Sequence, residues 1–346
     1  MSLNLGILGF AHGHVGVYCD EWLKMSDQPV KLVAGWDHDA ARLTAAHDKY
    51  NLKPCTSPTA LLDTPGLDAV VIGAETSLHA DLVEAAAAAR KKIILQKPLA
   101  LTMDEADRIV AAVAREGVPF TLAWQMRVDP QNVEMKRILS SGQLGRVYMV
   151  RRRHGLSTHT WTGFEDTWHV RPELNRGMWA DDASHAIDFI LWLLGKPRSV
   201  VAEIDTLRSP RVPDDHGVAI FRYADGTFAE VMCSFTCLAS ENTTEIVGED
   251  GVIIQNFGDG PSTAVARDPG AVGLKWMRKG EKSWTNSAIA SPDNHRRRIE
   301  ALAPELRRFL RGERGPIATA QEGRTALAMT LACYDSAASG RRVQIG

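Results

Sequence analysis

The residues best suited to chemistry are a lysine, an aspartate and a histidine in two separate stretches. Lys97 stands in ILQKPLALTMDEA, and Asp181 and His185 stand in WADDASHAIDFILWLLG. Lysine changes its pKa readily when buried, and histidine titrates near neutral pH. Such a set suits proton transfer at a hydroxyl group, with Lys97 as proton relay or stabiliser of an alkoxide and His185 as general base. In a helix, Asp181 would share a face with His185 and would bind a substrate hydroxyl or orient the imidazole.

The turn GFAHGH near the N-terminus is a second candidate site. A strand, a glycine turn and a helix start bind pyrophosphate well, because free N–H groups and the helix dipole stabilise negative charge. The pattern G-x-G-x-x-G would place glycines where this chain has Gly9, Ala11 and His14. The Ala11 methyl stands where a phosphate should approach the backbone, and His14 replaces a residue that lets helix and strand pack tightly. Phe10 and His12 would line the same pocket.

The aspartate that ends the apolar run VKLVAGWD is Asp37. A carboxylate there can accept hydrogen bonds from ribose hydroxyls and would repel a 2′-phosphate, which favours NAD over NADP. A simple turn residue is the alternative. His12 and His14 also allow a metal site, because two histidines at a strand end can bind a metal if residues such as Asp37 and His79 supply further ligands.

Periodicity predicts the elements that hold these residues. Five apolar runs alternate with helical patterns over residues 1–122, which predicts a Rossmann-like, doubly wound parallel sheet. A capping box of Thr102 and Glu105 and a stop at Gly117 bound one of the helices. Ligands of such sheets bind beyond the carboxyl ends of the strands, which here are GFAHGH, Asp37, GAETSLH and QKP.

The second part of the chain has a different pattern, with one helix near 133–141 and then a majority of strands. Asp225-Gly226 and Asp250-Gly251 predict turns between alternating runs. Residues 123–346 therefore predict an α+β domain with a large, mostly antiparallel open sheet. Because an open sheet must be covered, we expect a homodimer or homotetramer formed through it. The last helix, QEGRTALAMTLACYDSAAS, is expected to pack back on the first domain.

Composition argues against several classes of protein. With 40 basic and 42 acidic residues the formal net charge is −2, which gives no electrostatic reason to bind nucleic acid or an anionic membrane. The apolar runs are too short to span a bilayer and no leader pattern is present, so a cytoplasmic protein is expected. The five cysteines lack the spacing of a disulfide framework. Cys233 and Cys237 are expected to be buried on one face of a strand.

Three further motifs have a recognisable order. Gln96-Lys97-Pro98 precedes a capped helix, AVVIGAETSLHADLVEAA carries His79, and WADDASHAIDFILWLLG continues into an apolar helix. With LGRVYMVR and CYDSAASGRRVQI, they resemble the glucose–fructose oxidoreductase/inositol dehydrogenase (Gfo/Idh/MocA) family almost throughout the chain. The corresponding family motifs are Glu-Lys-Pro, Thr-Pro-Asn-x-x-His and Asp-x-x-x-His. This chain differs at Gln96, at Ala74-Glu75 and in the glycine turn.

The resemblance implies hydride transfer between a nicotinamide cofactor, NAD or NADP, and a secondary alcohol of a sugar or polyol. It implies Lys97, Asp181 and His185 as the catalytic residues. The implied cofactor-binding residues are Gly9, Phe10, Ala11, His12, His14, Asp37, Ala74, Thr76, His79, Gln96 and Lys97.

Aromatic and polar side chains crowd the stretch HGLSTHTWTGFEDTWHVRPELNRGMW. Aromatic faces pack on the C–H faces of sugars, and polar tips bind hydroxyls, so this stretch is expected to form the substrate wall. The aromatics, Trp161 above all, could instead anchor a long loop. The substrate-binding candidates are Trp161, Trp168, His169, Arg171, Arg176 and, near the domain junction, Arg127.

Two other functions stay open at this stage. The incomplete glycine pattern would fit a noncatalytic protein that binds a sugar or a nucleotide and acts as a sensor, although a sensor needs no proton relay. A lyase or hydrolase on the same scaffold would use tightly held NAD, or a metal at His12 and His14.

Overall fold

The protein, described here by a computed structural model, divides into two compact units. The structure describes residues 2–27, 29–239 and 242–346. Unit 1 comprises Met1–Gln125, Glu173–Asn175 and Ile299–Leu327, and unit 2 comprises Met126–Pro172, Arg176–Arg298 and Ala328–Gly346.

Fifteen strands and eleven α-helices form within the described residues. The strands are β1 (Leu3–Leu8), β2 (Val30–Trp36), β3 (Lys53–Pro54), β4 (Ala69–Ile72), β5 (Lys92–Leu95), β6 (Phe120–Leu122), β7 (Val147–Gly155), β8 (Ser199–Asp205), β9 (His216–Arg222), β10 (Phe228–Ser234), β11 (Thr243–Gly248), β12 (Gly251–Asn256), β13 (Leu274–Arg278), β14 (Thr285–Asn286) and β15 (Val343–Gln344). The helices are α1 (His14–Lys24), α2 (Ala40–Tyr50), α3 (Pro58–Leu62), α4 (His79–Ala88), α5 (Met103–Glu116), α6 (Pro130–Ser140), α7 (Pro172–Asn175), α8 (Ser184–Leu194), α9 (His295–Glu300), α10 (Leu302–Leu310) and α11 (Ala320–Ser339).

The sheet of unit 1 has six parallel strands in the order β3-β2-β1-β4-β5-β6. Its central strands are almost entirely apolar and buried, as a parallel sheet covered on both faces requires. The prediction of a doubly wound sheet is therefore confirmed. The sequence pattern missed β3, because a two-residue edge strand that ends in Pro54 carries no apolar periodicity. The strand order reverses between β1 and β4, which is where such sheets bind ligands.

Local signals fix the helix that follows the Gln96-Lys97-Pro98 motif. The Thr102 hydroxyl accepts a hydrogen bond from the Glu105 N–H at 3.2 Å, and the Glu105 carboxylate accepts one from the Thr102 N–H at 3.0 Å. Gly117 ends α5 with a φ of 61°, a conformation that favours glycine. The predicted capping box and stop are both confirmed, and the capping box sets where the loop before α5 ends.

The first part of α11, up to Leu327, belongs to unit 1. A Cβ on Gly323 would lie 3.0 Å from Leu122 Cδ2 and 3.3 Å from Leu99 Cδ1, so this part of the helix packs closely on the end of β6. Arg324 forms an ion pair with Asp107 of α5. The remaining part of α11, Ala328–Ser339, belongs to unit 2.

Unit 2 is built on a nine-stranded sheet in the order β14-β13-β12-β11-β7-β10-β9-β8-β15. Its pairs are antiparallel except β7 with β10, which are parallel. The predicted mostly antiparallel sheet is therefore confirmed, and Gly226, with a φ of 93°, lies in the predicted turn between β9 and β10. Side chains alternate along β7, so that Arg152 and His154 are buried and Arg151 and Arg153 are exposed.

Two details of the predicted second domain need correction. Cys233 is buried in β10, but β10 ends at Ser234, so the prediction that Cys237 shares its strand face is wrong. The Cys237 N–H instead donates to the Leu156 carbonyl at 3.0 Å, in a loop. The predicted helix near 133–141 begins earlier, at Pro130, because Asp129 caps it.

Within the described ranges, no helix combines the length and the apolar character needed to cross a membrane.

Candidate active site

The turn after β1 depends on its first glycine. Gly9 has a φ of 91°, its N–H donates to the Trp36 carbonyl at 2.7 Å, and a Cβ there would lie 2.4 Å from the Ala74 backbone. Only glycine meets both demands. Helix α1 begins five residues later, and its N-cap residue Gly13 has no side-chain cap and open space around it. The amino end of α1 is therefore accessible to an anion.

The turn accommodates Ala11 and His14 because the closest approach between strand and helix lies elsewhere. A Cβ on Gly73, after β4, would lie 2.2 Å from Val15 Cγ2, so Gly73 allows α1 to pack tightly. The half-buried His14 ring lies 4.3 Å from the His12 ring, and the His12 N–H donates to the Gly73 carbonyl at 2.9 Å. The tight packing of α1 on the sheet therefore depends on Gly73 and not on the residue at position 14.

Asp37 organises the end of β2. Its Oδ2 accepts a hydrogen bond from the Phe10 N–H at 2.7 Å, and its Oδ1 accepts from the Asp39 N–H at 2.8 Å. The same Oδ1 lies 2.9 Å from Arg42 Nη2, which also donates to Glu75 Oε1 at 2.8 Å. One guanidinium thus joins the ends of β2 and β4 through two buried carboxylates.

Glu75 is a site residue that sequence reasoning did not select. It is buried, and its Oε2 has no hydrogen-bond partner among the described residues and lies 3.6 Å from His38 Nδ1. A buried carboxylate oxygen with spare acceptor capacity suits a hydroxyl donor. The only sequence signal was that Ala74-Glu75 differs from the family's Thr-Pro.

Gln96 makes two hydrogen bonds that use both ends of its amide. Its Nε2 donates to the Tyr18 hydroxyl at 2.9 Å, and its Oε1 accepts from the Lys97 N–H at 3.0 Å. Burial raises the pKa of Tyr18, with the Gln96 bond acting in the opposite direction, so the phenol stays neutral. Lys97 itself is 3% exposed and its bond to Pro98 is cis.

His79 and Thr76 hold the loops around this position. His79 Nδ1 lies 2.9 Å from the Pro98 carbonyl, and Nε2 lies 3.3 Å from the Ala74 carbonyl. Burial lowers the pKa of His79, so the ring is neutral, and the shorter contact favours a proton on Nδ1. The Thr76 hydroxyl donates to Asn175 Oδ1 at 2.8 Å. Both side chains therefore act within unit 1 as positioning groups.

The second motif begins with a π-helical turn, Trp179–Ala183, which continues into α8. Asp214 accepts a hydrogen bond from the Trp179 N–H at 2.6 Å and another from the Tyr334 hydroxyl at 2.9 Å. The Ala180 N–H donates to that hydroxyl at 3.2 Å. Burial raises the pKa of Asp214 and of Tyr334. Widened turns of this kind are frequent at functional sites.

Asp181 and His185 are both buried in this segment. Asp181 Oδ2 lies 2.8 Å from Nδ1 of His169, which joins a predicted catalytic residue to a predicted substrate residue. The carboxylate of Asp182 lies 4.0 Å from His185 Nε2, and the His154 ring lies 6.0 Å from the His185 ring. Sequence reasoning identified neither Asp182 nor His154.

The aromatic residues of the predicted substrate wall form one cluster. The Trp168 ring stacks on His169 at 4.0 Å, and Phe164 packs edge-on against Trp161 at 6.0 Å and against Phe235 at 5.2 Å. Trp161 is still 45% exposed, so packing uses only part of its surface.

The three predicted substrate arginines lie in different settings. Arg127 forms a buried bidentate ion pair with Asp188 at 2.7 and 2.9 Å. The Arg176 guanidinium lies 5.7 Å from the Tyr334 ring centre, and Arg171 is exposed.

The metal alternative lacks a ligand set. In the part of the chain that the structure describes, no three or more His, Cys, Asp or Glu side chains are grouped as a metal ion would require. The features of unit 1 fit a dinucleotide instead: an open helix end at Gly13 follows the glycine turn, and Asp37 and Glu75 follow the two strands that flank β1. Asp37 accepts a hydrogen bond from the Phe10 N–H, so the glycine turn and the end of β2 are held together.

Comparison with known proteins gives an independent result. Residues 3–123 match the model of the oxidoreductase family with an NAD-binding Rossmann fold, and residues 132–254 match that of the GFO/IDH/MocA C-terminal domain. Inositol 2-dehydrogenase 2 of Saccharopolyspora erythraea is 28% identical, over 98% of this chain and 94% of the relative. D-Apiose dehydrogenase of Paraburkholderia graminis is 28% identical, over 91% and 83%. A structure of levoglucosan dehydrogenase with NADH and levoglucosan has a TM-score of 0.82, with 20% identity and full coverage of both chains.

The two matched models together cover most of the chain, in the order that the motifs indicated. The chain therefore belongs to the Gfo/Idh/MocA family of oxidoreductases, and its N-terminal part is an NAD-binding domain.

Proposed function

We propose that this protein is an NAD-dependent dehydrogenase that transfers a hydride between nicotinamide and a secondary alcohol of a sugar or polyol. The observation that carries the proposal is the placement of buried Lys97 directly after β5, in a loop that His79 ties to the end of β4. That edge of the sheet is where a doubly wound domain binds its dinucleotide. The names of the relatives, which act on inositol, apiose and levoglucosan, support this substrate class.

The chain's own residues would manage the proton and the charge of the reacting hydroxyl, while NAD supplies the hydride acceptor. We assign to Lys97 the stabilisation of the alkoxide that develops as the hydroxyl gives up its proton, before the hydride leaves and the carbonyl forms, since the Lys97 side chain is held out of bulk water. We assign to His185 the role of general base in oxidation and of acid in reduction. Asp181, bonded to His169, would bind a substrate hydroxyl.

The cofactor preference follows from the charges at the ends of β2 and β4. Asp37 and Glu75 contribute two buried carboxylates, and Arg42 is bonded to both, so a 2′-phosphate would meet net negative charge. Glu75 Oε2 would accept a hydrogen bond from a ribose hydroxyl of the cofactor. We therefore propose NAD rather than NADP as the cofactor.

We also propose that residues 1–122 bind the cofactor and that residues 123–346 bind the substrate and form a homodimer or homotetramer through the sheet. The outward side chains of β9 support the second point, since Val218 and Ile220 are exposed apolar residues. Light scattering on Ile220→Lys should show smaller particles than wild type. An unchanged mass would argue against this interface.

The direct test is turnover. Purified protein with NAD and a panel of inositols, pentoses, hexoses and sugar acids should produce NADH with at least one of them. Binding of NADH without turnover of any compound, in either direction, would instead favour the noncatalytic sensor.

A further inference from the structure

Two arginines of unit 2 are buried with N–H groups that lack acceptors among the described residues. Arg152, on β7, is 1% exposed, and its Nη1 donates to the neutral oxygens of Thr244 at 2.8 Å and Gln255 at 3.1 Å. Its Nε and Nη2 have no partner among the described residues, and neither do the same two nitrogens of Arg298, which is 4% exposed. Four guanidinium nitrogens are therefore buried with unused N–H groups.

Such an arrangement is costly unless something completes it. A buried charge without paired hydrogen bonds loses its hydration and gains little in return. The Arg152 guanidinium lies 5.5 Å from the Phe189 ring and Arg298 lies 5.7 Å from Phe257, but these contacts recover only a small part of the loss. Burial, with the charge of Arg298 acting in the same direction, lowers the pKa of Arg152 to about 9. The site thus favours an added negative charge.

The nearby carboxylates do not supply the missing hydrogen-bond acceptors. Asp129 is close enough to act on both arginines, but its Oδ1 accepts hydrogen bonds from the Gln131 and Asn132 N–H groups as the cap of α6. Asp182 acts electrostatically on Arg298 and lies 4.0 Å from His185. Neither carboxylate makes a hydrogen bond to the unused guanidinium nitrogens.

His154 and Asp182 each connect one of the arginines to the proposed catalytic histidine of the same unit. His154 follows Arg152 by two residues and is buried on the same face of β7, and its ring lies 6.0 Å from the His185 ring. Alternate residues of a strand are about 7 Å apart. The Asp182 carboxylate lies 4.0 Å from His185 Nε2, and its negative charge also acts on Arg298.

We propose that Arg152 and Arg298 bind an oxyanion, a carboxylate or a phosphate, carried by the substrate. The proposal rests on the proposed dehydrogenase function and narrows its substrate class to acidic or phosphorylated sugars and polyols. The planar guanidinium presents paired N–H groups that match two oxygens of either anion. A neutral substrate would leave the donors unsatisfied, and a site built to hydrogen-bond a group discriminates strongly against an analogue that lacks it.

Small probes test the site without knowledge of the sugar. The NADH complex would be titrated with acetate, with inorganic phosphate and with acetamide, the neutral isostere of acetate, while thermal stability and heat of binding are followed. Acetate or phosphate should bind saturably and at least tenfold more tightly than acetamide, and the better of the two identifies the anion. Equal effects of acetate and acetamide, as expected if water alone fills the site, would overturn the proposal.

Variants assign the effect to the arginines. Arg298→Met should weaken binding of the preferred anion at least tenfold, whereas Arg153→Met, an exposed neighbour on β7, should leave it unchanged. Arg152→Met should have the same effect as Arg298→Met and should not lower the melting temperature without ligand, because it removes an incompletely paired charge. Anion binding that persists in Arg298→Met would contradict the proposal. Anion selectivity without hydride transfer would leave this site standing and reject the dehydrogenase function.

Discussion

Gln96 Nε2 donates a hydrogen bond to the hydroxyl oxygen of Tyr18 at 2.9 Å, and both side chains are fully buried. The other end of the same amide accepts from the Lys97 N–H. Helix α1, which follows the glycine turn, and the loop that carries the proposed catalytic lysine are therefore joined by one side chain. A glutamine serves here because it both donates and accepts.

Removing the Tyr18 hydroxyl should lower the stability of the protein, because the hydrogen bond with Gln96 is lost. Tyr18→Phe leaves the Gln96 amide without its acceptor in a buried place, so we expect a loss of roughly 1–3 kcal/mol in the free energy of unfolding, measured in urea. Tyr148→Phe is the control, because Tyr148 is 44% exposed and should change little. Equal effects of the two substitutions would mean that the Gln96–Tyr18 bond is not important for stability.

Glu75 should control the choice between cofactors. In Glu75→Gln one negative charge is removed and the Arg42 bond weakens, so Arg42 becomes available to a 2′-phosphate. We expect the Kd for NADPH to fall about tenfold, the effect of a charge difference of about 1.4 kcal/mol. The Kd for NADH should rise slightly. Tryptophan fluorescence titration measures both constants.

The matched control is Glu84→Gln. This substitution also removes one negative charge, from an exposed ion pair between Glu84 of α4 and Arg108. It should leave both constants as in wild type. If Glu75→Gln discriminates against NADPH as strongly as wild type does, Glu75 does not determine the cofactor specificity.

His79 should make stability depend on pH in the acid range. Burial depresses its pKa below the ordinary 6.5, so the unfolded chain binds a proton more readily than the folded chain. The stability that neutral His79 contributes is complete above pH 6.5 and is lost as the pH falls from there through the folded pKa. In His79→Gln, melting temperatures between pH 7.5 and 5 should fall less steeply than in wild type, from a lower starting value. Parallel curves would contradict this role.

Tyr334 should act on turnover by positioning the π-helical turn. Tyr334→Phe removes the group that accepts from the Ala180 N–H and donates to Asp214, so the turn that carries Asp181 loses a support. We expect kcat to fall about tenfold, the order of one lost hydrogen bond to a charged group, with little change in the Kd for NADH. Tyr223→Phe, at a buried hydroxyl without a partner among the described residues, is the control.

Local signals in the sequence predicted most of the fold. Apolar periodicity and the Thr102–Glu105 capping box depend on residues close together in the chain, so their outcome could be anticipated. The two-residue strand β3 could not be anticipated, because its pairing with β2 is a tertiary feature. The family motifs predicted where Lys97 and His185 occur but not what surrounds them.

The supporting residues of the site were missed because their partners are distant in the chain. Asp214 lies 35 residues from the Trp179 N–H that it accepts from, and Tyr334 lies 154 residues from Ala180. The sequence pattern did not predict that the Asp181 carboxylate forms a hydrogen bond with His169, twelve residues before it. Such pairings are set by packing of whole elements and leave no periodic trace.

We infer that Lys97 acts in hydride transfer and not in cofactor binding. The most direct measurement compares wild type with Lys97→Ala, in NADH formation with the best substrate of the panel and in the Kd for NADH. In Lys97→Ala we expect kcat to fall by roughly 10²–10⁴, the usual contribution of a proton-transfer group, with a Kd for NADH within about twofold of wild type. Full activity in Lys97→Ala would contradict the assignment.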